Sequence, residues 1–160
     1  MHTEFFYVKK ALLEKLISYS GNITSVGTTS LRALESIYWI GVKLCEKIEN
    51  PFFIDQWDAY YLPQNISFID AIKALLEYCD DNKIDEIEAS TKIMIVPGYS
   101  FRIVNRLITN FHQPQSTLLL LVAAFIGEDW KRVYQYALEN DFRFLSYGDG
   151  SLLTTKDHVQ

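Results

Sequence analysis

The feature that most constrains the fold is an uninterrupted apolar run of nine residues, Leu118–Ile126. Ser116 and Thr117 precede this run as candidate caps and Gly127 follows it, so the run predicts a helix that is apolar on almost every side. Such a helix must be buried, and it is about half as long as the roughly 20 residues that span a bilayer. The sequence therefore predicts a fold built around a buried helix, without a membrane segment.

Short extended segments and amphipathic helical patterns alternate along the rest of the chain. The predicted strands are 4–8, 22–26, 92–96, 102–109 and 142–147. The predicted helices cover approximately 11–17, 28–38, 67–79, 116–126 and 129–139. We expect the strands at 92–96 and 102–109 to pair. This alternation predicts an α/β fold in which helices cover a mixed sheet.

Composition and charge exclude several classes of protein. Hydrophobic residues make up 49% of the 160 residues, which is enough for the core of one domain and excludes a disordered linker. Residues 1–90 hold 8 Lys+Arg against 14 Asp+Glu, whereas residues 91–160 hold 7 against 6. A nucleic acid would therefore bind a restricted patch. Two cysteines and an amino terminus without a signal pattern predict a cytoplasmic protein.

A turn after the second predicted strand carries three hydroxyl side chains, those of Thr28, Thr29 and Ser30. One interpretation is plain helix capping, since Ser and Thr are common caps. The other is a site for a carboxylate or phosphate at the start of a helix, where backbone N–H groups have no partner. The turn lacks the lysine pattern and the glycine pattern of the common nucleotide-binding loops.

Two further loops carry candidate catalytic groups. His112 lies between a predicted strand and the buried helix, where it either acts as an acid or base or only ties its loop together. Asp149, in a Gly-Asp-Gly stretch, is either a base or a turn-forming residue.

His2 and Glu4 are too few to make a metal site, so no metal is expected. Aromatic side chains beside polar loop residues either stack on a ligand or pack in the core; these are Tyr99, Phe111 and Tyr147.

Four segments together resemble a known enzyme family. They are the opening MHTEFF, SVGTTSLRALES at 25–36, PGYSFRIVNRLITNFHQPQSTLLLLVAAF at 97–125 and FRFLSYGD at 142–149. These strings, in this order, resemble the carboxy-terminal half of the S-adenosylmethionine:tRNA ribosyltransferase-isomerase family of queuosine biosynthesis. The resemblance implies that residues 1–153 are part of a larger two-domain enzyme whose amino-terminal half is missing, with an insertion in 37–90 and a tail at 154–160.

The resemblance also implies a reaction and its substrates. Members of this family transfer and isomerise the ribosyl part of S-adenosylmethionine onto 7-aminomethyl-7-deazaguanine in tRNA, which gives epoxyqueuosine. For this chemistry we expect His112 and Asp149 to transfer protons. The residues expected to bind a carboxylate or phosphate are Thr28, Thr29, Ser30 and Arg32. The residues expected to line the pocket are Tyr99, Asn110, Ser116, Thr117 and Tyr147.

Two departures from the family pattern support an alternative. Lys92 and Asn105 stand where the family has aspartates, so two acidic positions are lost. The alternative is a non-catalytic or diverged paralogue that contacts tRNA or protein. In either case we expect the 160 residues to be inactive without the rest of the enzyme.

Overall fold

The computed structural model describes residues 2–155, and helices and strands alternate along them. The strands are β1 (Glu4–Lys9), β2 (Thr24–Val26), β3 (Phe53–Ile54), β4 (Glu86–Thr91), β5 (Arg106–Asn110) and β6 (Gly150–Thr154). The helices are α1 (Lys10–Ser18), α2 (Thr28–Cys45), α3 (Asp58–Tyr61), α4 (Phe68–Asn82), α5 (Thr117–Ile126) and α6 (Asp129–Glu139). A short 3-10 turn covers Leu145–Tyr147. The predicted α/β class is confirmed.

The strands form two mixed sheets rather than the one that the sequence predicts. In the first sheet the order is β1-β4-β3, with β1 antiparallel and β3 parallel to β4. In the second sheet the order is β2-β5-β6, with β2 parallel and β6 antiparallel to β5. The parallel pair β2 and β5 matters for function, because the carboxyl ends of parallel strands meet at the same edge of a sheet.

The core is built around α2, whose side chains from Ile37 to Val42 are all buried. Helix α4 crosses α2 at Gly41, where a Cβ atom would lie 2.6 Å from the carbonyl carbon of Ala71. Only glycine allows this approach of the two backbones. Residues 37–90, in which the sequence predicts an insertion, thus contribute α4 to the core, and the insertion stays a prediction.

Two of the helices, α4 and α5, are capped at their start by a serine. The Ser67 hydroxyl accepts a hydrogen bond from Asp70 N at 3.1 Å, and the Ser116 hydroxyl accepts one from Leu119 N at 3.1 Å. At α2 the capping position belongs to Gly27, and no side chain caps the helix. The capping interpretation of the hydroxyl turn is therefore wrong.

The predicted strand at 92–96 is wrong, and so is its pairing with 102–109. The pattern reflects burial, because Ile93 and Ile95 point into the core. The backbone bonds instead to an irregular segment and to side chains: Met94 N donates to Gln56 O at 3.0 Å, and Val96 N donates to Tyr60 Oη at 3.1 Å. The segment that does form a strand is β4, which precedes residue 92 and belongs to the first sheet, whereas β5 belongs to the second.

Strand β5 begins at Arg106, four residues later than predicted, because a side chain holds the preceding backbone. The Glu35 carboxylate accepts hydrogen bonds from the N–H groups of Arg102 at 2.9 Å, Ile103 at 3.0 Å and Val104 at 2.9 Å. These N–H groups are therefore not available to a neighbouring strand.

The predicted strand at 142–147 is also wrong. Asp141 and Leu145 have φ values of 56° and 60°, which a strand does not accommodate. The Arg143 N–H group donates to the Asp149 carboxylate at 2.6 Å, so the segment curls on itself. The last strand, β6, starts only at Gly150.

Helix α5 is largely buried, as its composition predicts, with Leu121, Val122 and Phe125 in the core and Leu120 exposed on its first turns. No helix within residues 2–155 has the length and apolar character needed to cross a membrane. The tail predicted at 154–160 lies, from residue 156 onwards, outside the described residues.

Candidate functional site

Three loops meet at one edge of the second sheet. Strands β2 and β5 end there, and Gly27 N donates to Ile108 O at 2.8 Å to close this end. Strand β6 starts at the same edge, where Gly150 pairs with Asn110. We call this region the polar edge; it consists of residues 27–30, 110–112 and 149–151. The structure thus brings together three loops that lie far apart in the sequence.

The turn at 27–30 presents the uncapped start of α2. Gly27 has a φ of 88°, which favours glycine, and it turns the chain directly from β2 into the helix. Thr28 is nearly buried, whereas Thr29 and Ser30 are exposed. Because no side chain caps α2, its first N–H groups and the exposed Ser30 hydroxyl are available to an anion, whereas the Thr29 hydroxyl donates to the Glu4 carboxylate at 3.5 Å.

Arg32 lies on the first turns of α2 and is buried. Its Nε donates to Ile93 O at 3.0 Å, and its Nη1 forms an ion pair with the Glu4 carboxylate of β1. Burial lowers the pKa of Arg32, and the Glu4 charge opposes this shift. Arg32 therefore ties α2 to both β1 and the segment after β4, which orients the turn that precedes it. Its predicted contact with an anion stays a prediction.

His112 is buried in the second loop of the polar edge. Its Nε2 lies 2.9 Å from the Thr109 hydroxyl, and its backbone N–H donates to the Tyr134 hydroxyl at 2.9 Å. Burial lowers the pKa of His112, so its imidazole is neutral at pH 7 and able to accept a proton. The preceding Phe111 packs in the core against Tyr134, with ring centroids 5.4 Å apart.

Asp149 is held in the third loop by Arg143. One carboxylate oxygen accepts from Arg143 N at 2.6 Å and from Arg143 Nε at 3.3 Å. These hydrogen bonds lower the pKa of Asp149, so it is ionised at neutral pH. Asn110 fixes the adjoining turn, because its Nδ2 donates to Leu145 O at 2.7 Å. Tyr147, two residues before Asp149, is 72% exposed, and its role in binding stays a prediction.

Three of the predicted pocket residues lie in other parts of the fold. Ser116 and Thr117 belong to the start of α5, where they line an open groove of about 460 Å³ with Trp130. Tyr99 is buried: its hydroxyl accepts from Trp39 Nε1 and donates to Glu35, each at 2.8 Å. No contact described within residues 2–155 joins Tyr99 to the polar edge. Their roles in binding stay predictions.

Sequence reasoning missed two acidic residues that organise these loops. Glu4 is the ion-pair partner of Arg32, and Glu35 holds the backbone that enters β5. The signal for Glu35 was a carboxylate on the apolar face of α2, four residues after Leu31 and three before Tyr38. No group of three His, Cys, Asp or Glu side chains in the described part of the chain could hold a metal ion.

Comparison with known proteins decides the family. A family model described as queuosine biosynthesis protein matches residues 1–153. The chain belongs to this family. Its relatives include two proteins named S-adenosylmethionine:tRNA ribosyltransferase-isomerase. One, from Burkholderia lata, is 36% identical over 98% of this chain; the other, from Burkholderia vietnamiensis, is 37% identical over the same share.

A solved structure of the queuosine biosynthesis family also matches. It is the crystal structure of a protein from Thermotoga maritima named S-adenosylmethionine tRNA ribosyltransferase, with 32% identity and a TM-score of 0.59 over 92% of this chain. The match covers 40% of the Thermotoga chain, and the chain spans only 35% of the length of the two Burkholderia relatives. The chain thus corresponds to little more than a third of these relatives.

Proposed function

We propose that this chain carries part of the substrate site of an S-adenosylmethionine:tRNA ribosyltransferase-isomerase. The reaction moves the ribosyl part of S-adenosylmethionine onto 7-aminomethyl-7-deazaguanine in tRNA, gives epoxyqueuosine and releases adenine and methionine. The observation that carries the proposal is the polar edge, where loops from three separate motif segments meet on the ends of β2, β5 and β6. Relatives with this name align over 98% of the chain, which supports the reaction class.

The groups at the polar edge fit the chemistry of S-adenosylmethionine. Its carboxylate, or a phosphate of the tRNA, suits the uncapped start of α2 with Thr28, Thr29 and Ser30. Arg32 supports this turn from the buried side through Glu4 and Ile93. The sulfonium carries a positive charge, which suits an aromatic ring and a carboxylate.

The ring and the carboxylate for the sulfonium are those of Tyr147 and Asp149. Tyr147 is exposed beside Asp149, which Arg143 keeps ionised. We propose that Asn110 stabilises the conformation of this turn, because its side chain donates a hydrogen bond to Leu145 O. Ser116 and Thr117 are assigned to an outer wall of the substrate site. Tyr99 is not assigned to it, because its ring is buried and its hydroxyl is bonded to Trp39 and Glu35.

His112 is the proposed base. The reaction requires removal of a proton from the carbon beside the sulfonium, and only a neutral imidazole accepts it. Burial lowers the pKa of His112 and therefore keeps the imidazole in this form at neutral pH. The ionised Asp149 is the second proposed proton acceptor and stabilises positive charge. No metal takes part in these assignments.

The chain is proposed to act only with the rest of the enzyme. It spans 35% of the relatives' length and is acidic in residues 1–90, so phosphate contacts of the tRNA are assigned largely to the missing amino-terminal half. The proposed compartment is the cytoplasm, where tRNA is modified.

A second function has one observation in its favour. By the sequence resemblance, Lys92 and Asn105 stand where the family has aspartates. Both have contacts within the fold: Lys92 Nζ lies 5.6 Å from the Phe53 ring centroid, and Asn105 Oδ1 accepts from Ile23 N at 3.0 Å. A diverged, non-catalytic relative that contacts tRNA or protein would carry such changes.

A chimera separates the two functions. This chain replaces its matching part in the Burkholderia lata relative, and the purified chimera is incubated with S-adenosylmethionine and tRNA that carries 7-aminomethyl-7-deazaguanine. Mass spectrometry of the tRNA nucleosides measures epoxyqueuosine, and chromatography measures released adenine. We expect both products from the chimera and neither from the 160 residues alone. A folded chimera that binds tRNA and makes no product would instead establish the non-catalytic function.

The role of His112 is tested in the same chimera. His112→Ala should lower turnover by about 100-fold or more if the imidazole is a general base. The matched control is Gln113→Ala, an exposed neighbour in the same loop, which should leave turnover unchanged. Because His112 is buried, His112→Gln and the melting temperature of each variant control for misfolding. Equal turnover of folded His112→Gln and wild type would remove His112 from the mechanism.

A further inference from the structure

We propose that the solvent-facing side of the second sheet is an interface that receives the part of the family fold lying outside this chain. The pairing register places Val26 opposite Ile108, and Ile108 opposite Leu152. These three side chains form one row across all three strands, which we call the outer row. They are 66%, 41% and 65% exposed, respectively. The centre of this face is therefore apolar and uncovered.

The other side of the same sheet shows that the outer row is not needed for the core of this chain. Leu107 and Leu153, the neighbours of the outer row along β5 and β6, are buried on the inner side. A sheet with one solvated face normally alternates apolar residues inward with polar residues outward. The outer row breaks this alternation with an aliphatic residue on each strand.

Polar residues flank the outer row. Thr24, Arg106 and Thr154 pair across the three strands on one side of it, and Asn110 lies on the other side. At this rim Arg106 Nη2 donates to the Asn22 side chain at 3.0 Å. An apolar centre with a polar rim is the arrangement of a protein interface.

The lengths of the relatives identify the occupant. The matching part makes up 35% of the Burkholderia lata relative and 40% of the Thermotoga maritima chain. In both proteins the remainder belongs to the same polypeptide, so its effective concentration at this face is far above that of a second copy. We therefore assign the outer row to an intramolecular partner, an apolar surface of the remaining part of the enzyme. This assignment does not depend on the reaction proposed for the polar edge.

Matched serine substitutions test the interface. Leu152→Ser changes the outer row, and Leu138→Ser changes a residue of α6 that is 69% exposed. In the 160-residue chain both variants should melt within about one degree of wild type, because both leucines are exposed. In the chimera with the Burkholderia lata relative, Leu152→Ser should lower the melting temperature by several degrees and Leu138→Ser should not. Equal effects of the two variants in the chimera would overturn the proposal.

Hydroxyl-radical footprinting gives a readout that does not depend on stability. Oxidation of Ile108 and Leu152 should fall about fivefold in the chimera relative to the 160-residue chain, as burial in an interface centre requires. Oxidation of Tyr61, the most exposed aromatic residue, serves as the internal reference. Unchanged oxidation of the outer row would overturn the proposal. So would self-association of the 160-residue chain that Leu152→Ser abolishes, because the occupant would then be a second copy.

Discussion

Replacing Glu35 by glutamine should destabilise the fold strongly, although the two side chains have nearly the same shape. Both carboxylate oxygens are fully used: Oε1 accepts from the N–H groups of Ile103 and Val104, and Oε2 accepts from Arg102 N and the Tyr99 hydroxyl. Burial raises the pKa of Glu35, and these four hydrogen bonds oppose the rise. Every neighbour is a donor, so the site matches a carboxylate.

A glutamine amide has one acceptor oxygen, and its NH₂ group must face one of the two donor pairs. The less costly orientation keeps the oxygen on Ile103 and Val104 and turns the NH₂ toward Tyr99, whose hydroxyl is able to accept. Arg102 N then loses its acceptor, which costs about 1–3 kcal/mol for a buried N–H group. The remaining bonds also lose the strength that a charged acceptor provides. We expect a total loss of about 2–4 kcal/mol.

Urea unfolding of the 160-residue chain measures this loss, with the fluorescence of Trp39 as a nearby probe, since its Nε1 donates to Tyr99. Glu77→Gln on the exposed side of α4 is the matched control and should change the free energy of unfolding by less than about 0.5 kcal/mol. The reasoning is refuted if Glu35→Gln lies within about 1 kcal/mol of wild type at an unchanged m value.

Two further changes test the packing and the charge state of the fold. Gly41→Ala places a Cβ atom against the carbonyl group of Ala71, so it should lower the free energy of unfolding by about 1–3 kcal/mol; an unfolding curve equal to that of wild type would contradict the close approach of α2 and α4. Burial lowers the folded-state pKa of His112 below its ordinary value of 6.5, so the unfolded chain binds a proton that the folded chain does not. Stability should therefore fall as the pH drops below about 6.5, and level off below the folded-state pKa. Urea midpoints between about pH 7.5 and 5 should show this slope in wild type and less of it in His112→Gln; equal slopes would contradict the assignment.

Local signals predicted the helices well because the residues that define them are close in sequence. Ser67 and Ser116 cap the helices that follow, as their positions before apolar patterns indicate. Strands were harder, because a strand requires a partner from elsewhere in the chain. The run at 92–96 is more apolar than β4, yet β4 alternates buried Ile87 and Ala89 with exposed glutamates and has partners on both sides.

The residues of the candidate site also differ in whether local sequence or distant contacts determine their positions. The sequence places Gly27 and His112 just beyond two predicted strands, but the parallel pairing that brings the ends of β2 and β5 to one edge was not predicted, because 102–109 was expected to pair with 92–96. The ion pair between Arg32 and Glu4 joins residues that are 28 positions apart, and no local sequence pattern predicts this pair. The contacts of Glu35 reach 64 to 69 positions along the chain. Pairings of this kind are set by the packed fold, not by the neighbouring residues.

The Glu35 side chain consequently links two of the three loops of the polar edge, 27–30 and 110–112. Helix α2 starts at Thr28, and Glu35 lies two turns further along the same helix. Its hydrogen bond to Val104 N holds the chain two residues before β5 begins, and β5 leads directly to Asn110 and His112. The uncapped helix start and the buried imidazole are therefore held in register through a group that contacts neither. This explains why a carboxyl side chain occupies the centre of the core: an apolar residue there would leave the backbone N–H groups of Arg102, Ile103 and Val104 without acceptors.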